Sequence, residues 1–178
     1  MADTGEIALT VMGADRVGII AGLTSALADL GSNIEDSSMT ILRGHFAMTL
    51  IISTSADAEA VRAAVAPVAA SLELLVDVRA VAPGVDGPDG PDGGVRHTLV
   101  VQGADRPRIV AQIMSVVAAH GGNVTDLTTR LVGAMYLLVA EVDLRSASDA
   151  DALSDALSSA AAALGVDASL RPAEVDVL

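Results

Sequence analysis

Cysteine and tryptophan are absent from this chain of 178 residues, and one Phe and one Tyr stand alone among its aromatics. Without cysteine there is no disulfide framework, no thiol catalysis and no thiolate metal site. Lysine is missing too: all ten basic residues are Arg, set against 23 acidic ones, for a formal charge of -13 and a pI near 4.3. A phosphate backbone would be repelled at long range, so no direct nucleic-acid binding is expected, and the acidity reads as a solvated surface. No apolar run approaches the roughly 18 to 20 residues that would span a bilayer. The start, Met1-Ala2-Asp3-Thr4-Gly5-Glu6, lacks a basic segment followed by an apolar one, so no signal peptide is expected either. These absences describe a soluble, cytoplasmic protein without a membrane partner. A hydrophobic content of 52% is enough to pack a core in one or two small domains.

What the chain does have is a repeat. Gly13-Ala14-Asp15-Arg16-Val17-Gly18-Ile19-Ile20 returns ninety positions on as Gly103-Ala104-Asp105-Arg106-Pro107-Arg108-Ile109-Val110, and the echo runs without gaps to Ile52 and Val142. The scarcest residues confirm the register, because Phe46 falls on Tyr136, Asn33 on Asn123 and Asp36 on Asp126. One module is written twice.

Each copy switches hydrophobic period in the same order. Ile7, Leu9 and Val11 alternate as a half-buried strand. Ile20, Leu23, Leu27 and Leu30 recur at helical spacing, which predicts a helix from about Arg16 to Leu30 with Gly31 just past its end. Residues 33–42 and 46–54 read as a hairpin about Arg43-Gly44-His45, and a helix over 57–66 is ended or kinked by Pro67. Leu74, Val76 and Val78 give a last strand. In the second copy the same order is expected over His97–Gly103, Pro107–His120, Val124–Val132, Met135–Leu144, Asp149–Leu164 and Val166–Leu170. Two βαββαβ units of the α+β, ferredoxin-like class follow, each a four-stranded antiparallel sheet with both helices on one face. Between them, residues 83–94 are dominated by Gly, Pro and Asp and read as a linker, giving domains at 1–82 and 95–178; Asp86, Asp89 and Asp92 are linker charges without the alternation of a calcium loop.

The sharpest chemical feature is the strand-to-helix junction. Gly13 permits a tight turn, Asp15 is placed to cap the helix, and the first amides of that helix are free to receive a small carboxylate where Gly18 leaves the approach open. The alternative is a junction that only caps and turns. In the second copy Pro107 suits a first helical turn, and Arg108 stands where Gly18 was, ready to fill the site or to grip an acid bidentately, so the two junctions are not equivalent. Asn33 and Asp36, with Asn123 and Asp126, offer an amide and a carboxylate suited to an amino-acid head group; equally, they suit a loop Asn bound to its own backbone and a solvated Asp. None of His45, His97 and His120 is shared between copies. No metal spacing, nucleophilic triad or cofactor motif is found, so no catalytic residue, metal or cofactor is assigned.

Gly13-Ala14-Asp15-Arg16 before an amphipathic helix, then Gly31-Ser32-Asn33-Ile34-Glu35-Asp36 and a strand ending in Gly44-His45-Phe46-Ala47-Met48, resembles the ACT domain, and the second copy resembles it again. Among tandem ACT proteins the likeness is to the glycine cleavage system transcriptional repressor type, whose junction usually reads Asp-Arg-Pro-Gly-Ile-Val; here the first copy keeps the Gly and the second keeps the Pro. The resemblance implies a regulatory module that binds an amino acid between neighbouring ACT units. It places Asp15, Arg16, Val17, Gly18, Asn33 and Asp36 at the ligand, with Asp105, Arg106, Asn123 and Asp126 across the interface; Arg108, a departure from the Gly of that junction, is a candidate by its own guanidinium. It also implies action through a protein partner, and a homo-oligomer is expected because sheet edges are seldom left long and unpaired. A separate regulatory subunit of an amino-acid-metabolism enzyme and a purely architectural dimerisation module are the alternatives.

Overall fold

Strand β1 (Gly5–Ala14) buries Ile7, Leu9 and Val11 and turns Thr10 and Met12 outward, so one face of its sheet becomes the core. In the computed structural model, which describes residues 4–81 and 94–173, it is followed by α1 (Ile19–Asp29), β2 (Asn33–Leu42), β3 (His45–Thr54), α2 (Ala58–Leu72) and β4 (Leu75–Ala80). The second unit repeats the series as β5 (Val95–Ala104), α3 (Ile109–Ala119), β6 (Asn123–Val132), β7 (Met135–Leu144), α4 (Ala147–Leu164) and β8 (Val166–Pro172). The chain divides into two compact units, Met1–Val85 and Asp86–Leu178. Apart from Gly94, the expected linker lies outside the described residues.

Both sheets are antiparallel throughout and share one strand order, β2-β3-β1-β4 and β6-β7-β5-β8. This is the ferredoxin-like α+β arrangement. The first core joins Ile7, Leu9, Val11, Phe46, Met48, Leu50 and Ile52 to Ile19, Leu23 and Leu27 of α1 and Val61 and Val65 of α2. Each fully buried aliphatic side chain of this kind contributes about 1.5 to 3 kcal/mol. The second core is built alike around Leu99, Val101, Ile113, Leu138, Leu153 and Leu157.

The helices depart from the expected bounds for local reasons. Ile19, not Ile20, faces the core; Ile20 is 44% exposed, and the buried stripe runs 19, 23, 27. Gly31 closes α1 as expected: at φ 69 its N–H bonds to Ala28 O, and the Ser32 N–H bonds to Leu27 O. Pro67 does not end α2, which continues to Leu72. The carbonyl that loses its partner to Pro67 belongs to Ala63, which is exposed and open to water. Helix α4 starts before Asp149 because Ser146 is its N-cap, with Oγ accepting from the Asp149 N–H at 3.3 Å.

Candidate functional site

Four residues carry the chain from the end of β1 to the start of α1, and this length decides what the junction can do. The Asp15 N–H donates to Gly44 O at 2.8 Å, fastening the junction to the β2–β3 turn, where Arg43 (φ 52) and Gly44 (φ 82) are both left-handed. Asp15 therefore sits too early to cap the helix, contrary to the expectation above. The N-cap is Gly18, left-handed at φ 95 and ψ -5, and no side chain caps the first amides of α1. A Cβ at Gly18 would meet nothing within 4 Å, and Val17 beside it is fully exposed. In the second unit Arg108 is the N-cap at φ 75, again without a side-chain cap on the first amides, and Pro107 precedes the cap rather than entering the helix. A non-glycine residue in that conformation costs about 1 kcal/mol. The inequality of Gly18 and Arg108 thus lies outside the helices, in the left-handed residue before each.

The arginine of each junction turns to the corner between the second helix and last strand of its unit. Arg16 Nη2 bonds to Glu73 Oε2 at 2.6 Å. The Arg106 guanidinium lies on Gly165, where an added Cβ would come within 3.0 Å of Nη1. Gly13 and Gly103 permit this closeness: a Cβ would stand 2.6 Å from Leu74 Cδ2 in one unit and 2.8 Å from Val166 Cγ1 in the other. Glu73 and Gly165 are functional candidates that the ninety-residue register does not reveal. Helix α4 has 18 residues to the 15 of α2, so the echo is broken before it reaches them.

Asn33 and Asp36 do not join the junction of their own unit. Asn33 pairs with Ser53 at one end of the sheet, while Leu42 pairs with His45 and Gly13 with Phe46 at the other. At about 3.3 Å per residue the ends of β2 lie roughly 30 Å apart. A bulge at Glu35 shifts the register between Ile34 and Asp36 and puts Asn33 and Asp36 on the same, helix-free face. There the Glu35 carboxylate accepts from Ser53 Oγ at 2.6 Å and from Asn33 Nδ2 at 2.9 Å. The Ser53 hydroxyl and then the Asn33 amide hold its pKa below the usual Glu value. So the partner of Asn33 is neither its own backbone nor a free head group but a neighbouring acid. Asn123 and Asp126 repeat the placement in the second unit, beside Asp143 and Glu141, with Arg96 Nε on Asp143 Oδ1 at 3.0 Å. An open hollow of about 540 Å³ lies between Thr24 and Ser25 of α1 and Ser32 and Asn33; the Ser32 Oγ, shielded from solvent, has no hydrogen-bond partner.

His120 sits at the C-cap of α3 with its Nδ1 2.8 Å from Val116 O, a helix-end contact. Among the described residues no three His, Cys, Asp or Glu side chains come together as a metal site, and no helix is long and apolar enough to cross a membrane.

Comparison with known proteins places this geometry. The ACT domain model matches residues 6–79 and 97–171, one match per unit. The glycine cleavage system transcriptional repressor of Escherichia coli is 26% identical over 151 residues, 84% of this chain and 77% of that protein. The UPF0237 protein MK1213 of Methanopyrus kandleri is 53% identical over 47 residues, 26% of this chain and about half (52%) of that relative's length. The crystal structure of an unknown protein from Galdieria sulphuraria superposes with a TM-score of 0.81 at 27% identity, covering 97% of this chain and 100% of that one.

Proposed function

The chain belongs to the ACT-domain family, and on that premise we propose that it is a non-catalytic regulator that binds a small amino acid and transmits its presence to a protein partner. The observation that carries this reading is the open start of α1. Its first amides have neither an intrahelical partner nor a capping side chain, and the left-handed Gly18 before them leaves the approach unobstructed. Amides in that position favour an anion, and the α-carboxylate of an amino acid is small enough to reach them. Asp15, Arg16 and Val17 lead into the same opening along the chain. The similarity to a transcriptional repressor over 84% of the chain supports gene regulation as the process. A charge of -13 suits action through a partner protein in the cytoplasm better than contact with DNA.

The head group needs the other half of the set, and that half is supplied by a second ACT unit in a homo-oligomer. All ten residues of β2 are exposed, among them Met39 and Ile41 at 42% and 47%. The opposite edge is partly covered, because Arg62 Nη2 donates to Val78 O at 2.9 Å. An open edge of this length recruits another strand. Antiparallel pairing of β2 with the like strand of another copy carries the Asn33 end toward the partner's junction, so the 30 Å separation within one sheet is an argument for association.

Equilibrium dialysis of the full chain against the common amino acids tests the proposal. Saturable retention of a small amino acid is expected. Retention of none would leave an architectural module, the alternative reading.

A further inference from the structure

Position 73 is one at which the backbone asks for glycine. It closes α2 in the left-handed conformation (φ 56, ψ 44), and the second unit places Gly165 there (φ 68, ψ 37). The first unit keeps a glutamate in this strained position, with its Oε2 2.6 Å from Arg16 Nη2. Both side chains are open to solvent, at 43% and 75% exposure, so the pair adds little to the fold while the left-handed backbone works against it. Stability therefore does not account for Glu73. Around the first junction Asp15 and Glu73 stand with Arg16 and Arg43, two groups of each sign. Around the second, Asp105 stands with Arg106 and Arg108, and glycine occupies the places of Arg43 and Glu73 at 133 and 165. Glu73 is the residue that brings the first junction to neutrality.

We propose that Glu73 is the specificity-determining residue of the first junction: by occupying Arg16 from within the chain, it makes the junction select a neutral amino acid over one with a side-chain carboxylate. The assignment rests on the reading that the ligand's α-carboxylate sits at the start of α1. Arg16 is already paired, and the helix amides serve one carboxylate. A second carboxylate on the ligand meets the charge of Glu73 and finds Arg16 occupied. When Glu73 is removed, Arg16 is released and can take that second carboxylate bidentately.

Two substitutions in the full chain separate charge from backbone. Glu73→Gln keeps the side-chain size and the strained conformation and deletes the charge; Glu73→Gly copies the second unit. Calorimetric titration of wild type and both variants with alanine and with aspartate gives the affinity ratio of acidic to neutral ligand. In both variants the ratio is expected to rise roughly three- to tenfold, the scale of one unit charge several ångströms away at a partly exposed site. An unchanged ratio in chains that still bind alanine would overturn the role of Glu73 and leave the ligand-site reading standing. Absence of binding of either amino acid to wild type and variants alike would overturn the ligand-site reading, and this assignment with it.

Discussion

Replacing Gly103 by Ala tests how firmly the strand before the second junction is seated on the corner after α4. The new Cβ would lie 2.8 Å from Val166 Cγ1 and 3.0 Å from Val166 Cα. Val166 is itself buried, and its Cα cannot retreat without moving β8, which pairs with β5 at this very residue. Overpacking costs about 1 to 3 kcal/mol, and a clash with backbone places this substitution at about 2 to 3 kcal/mol. Gly13→Ala provides the control. There the Cβ would come within 2.6 Å of Leu74 Cδ2, the movable end of a side chain, and no nearer than 3.4 Å to backbone; about 1 kcal/mol is expected. The chain supplies its own reporter, because Tyr136 is its single tyrosine, there is no tryptophan, and Tyr136 pairs with Gly103 across the sheet. Tyrosine fluorescence in urea therefore follows the second unit, while far-ultraviolet circular dichroism follows both. With a denaturant slope of about 1 to 1.5 kcal/mol/M for a unit of this size, Gly103→Ala lowers the tyrosine midpoint by about 2 M. Gly13→Ala leaves that midpoint in place and moves the transition of the first unit. Equal tyrosine midpoints for wild type and Gly103→Ala would refute the packing argument.

Two further expectations concern β2 and its bulge. Met39→Lys combined with Ile41→Lys puts charge on an edge that is already exposed, so the fold survives and the oligomer does not; light scattering should report the monomer mass, and an unchanged oligomer mass would count against edge pairing. The Glu35 pKa is held below its ordinary value by Ser53 and Asn33. Its contribution to stability is therefore present above the unfolded carboxylate pKa and fades as pH falls through the lower folded one. Side-chain NMR titration should place Glu35 below an ordinary Glu and show Ser53→Ala moving it upward, whereas an ordinary value in the wild type would remove the hydrogen bonds from the account.

Much of the fold is legible in the sequence because the period switches are written twice. Ile7, Leu9 and Val11 with Phe46, Met48, Leu50 and Ile52 declare their buried face by alternation alone, and the strand order then follows from the βαββαβ series. Helix starts are less legible. Asp15 carries the chemistry of a cap but its backbone N–H is tied to Gly44, and a left-handed glycine without a side chain takes the N-cap position three residues later. An arginine at the corresponding place reads as a helix former and turns out to precede the helix. The candidate site is legible residue by residue and not as an assembly. Local spacing places Asn33 near Gly18 in the chain, whereas the path through α1 returns β2 to the far end of the sheet. The relation of Glu73 to Gly165 falls outside the ninety-residue register (165 minus 73 is 92) and is hidden until both turns are seen to be left-handed.

Whether an amino-acid carboxylate sits at the open start of α1 is decided by calorimetric titration of wild type beside Gly18→Arg. Arg108 shows that this backbone position accommodates an arginine at φ 75. The substitution should cost about 1 kcal/mol, lowering the melting temperature of its unit by about 4 to 8 °C while leaving the fold intact. Saturable heat is expected with a small amino acid in the wild type, and its loss at the first junction in Gly18→Arg. Undiminished binding in the folded variant would show that the ligand does not sit there and that the repeated junction serves structure alone.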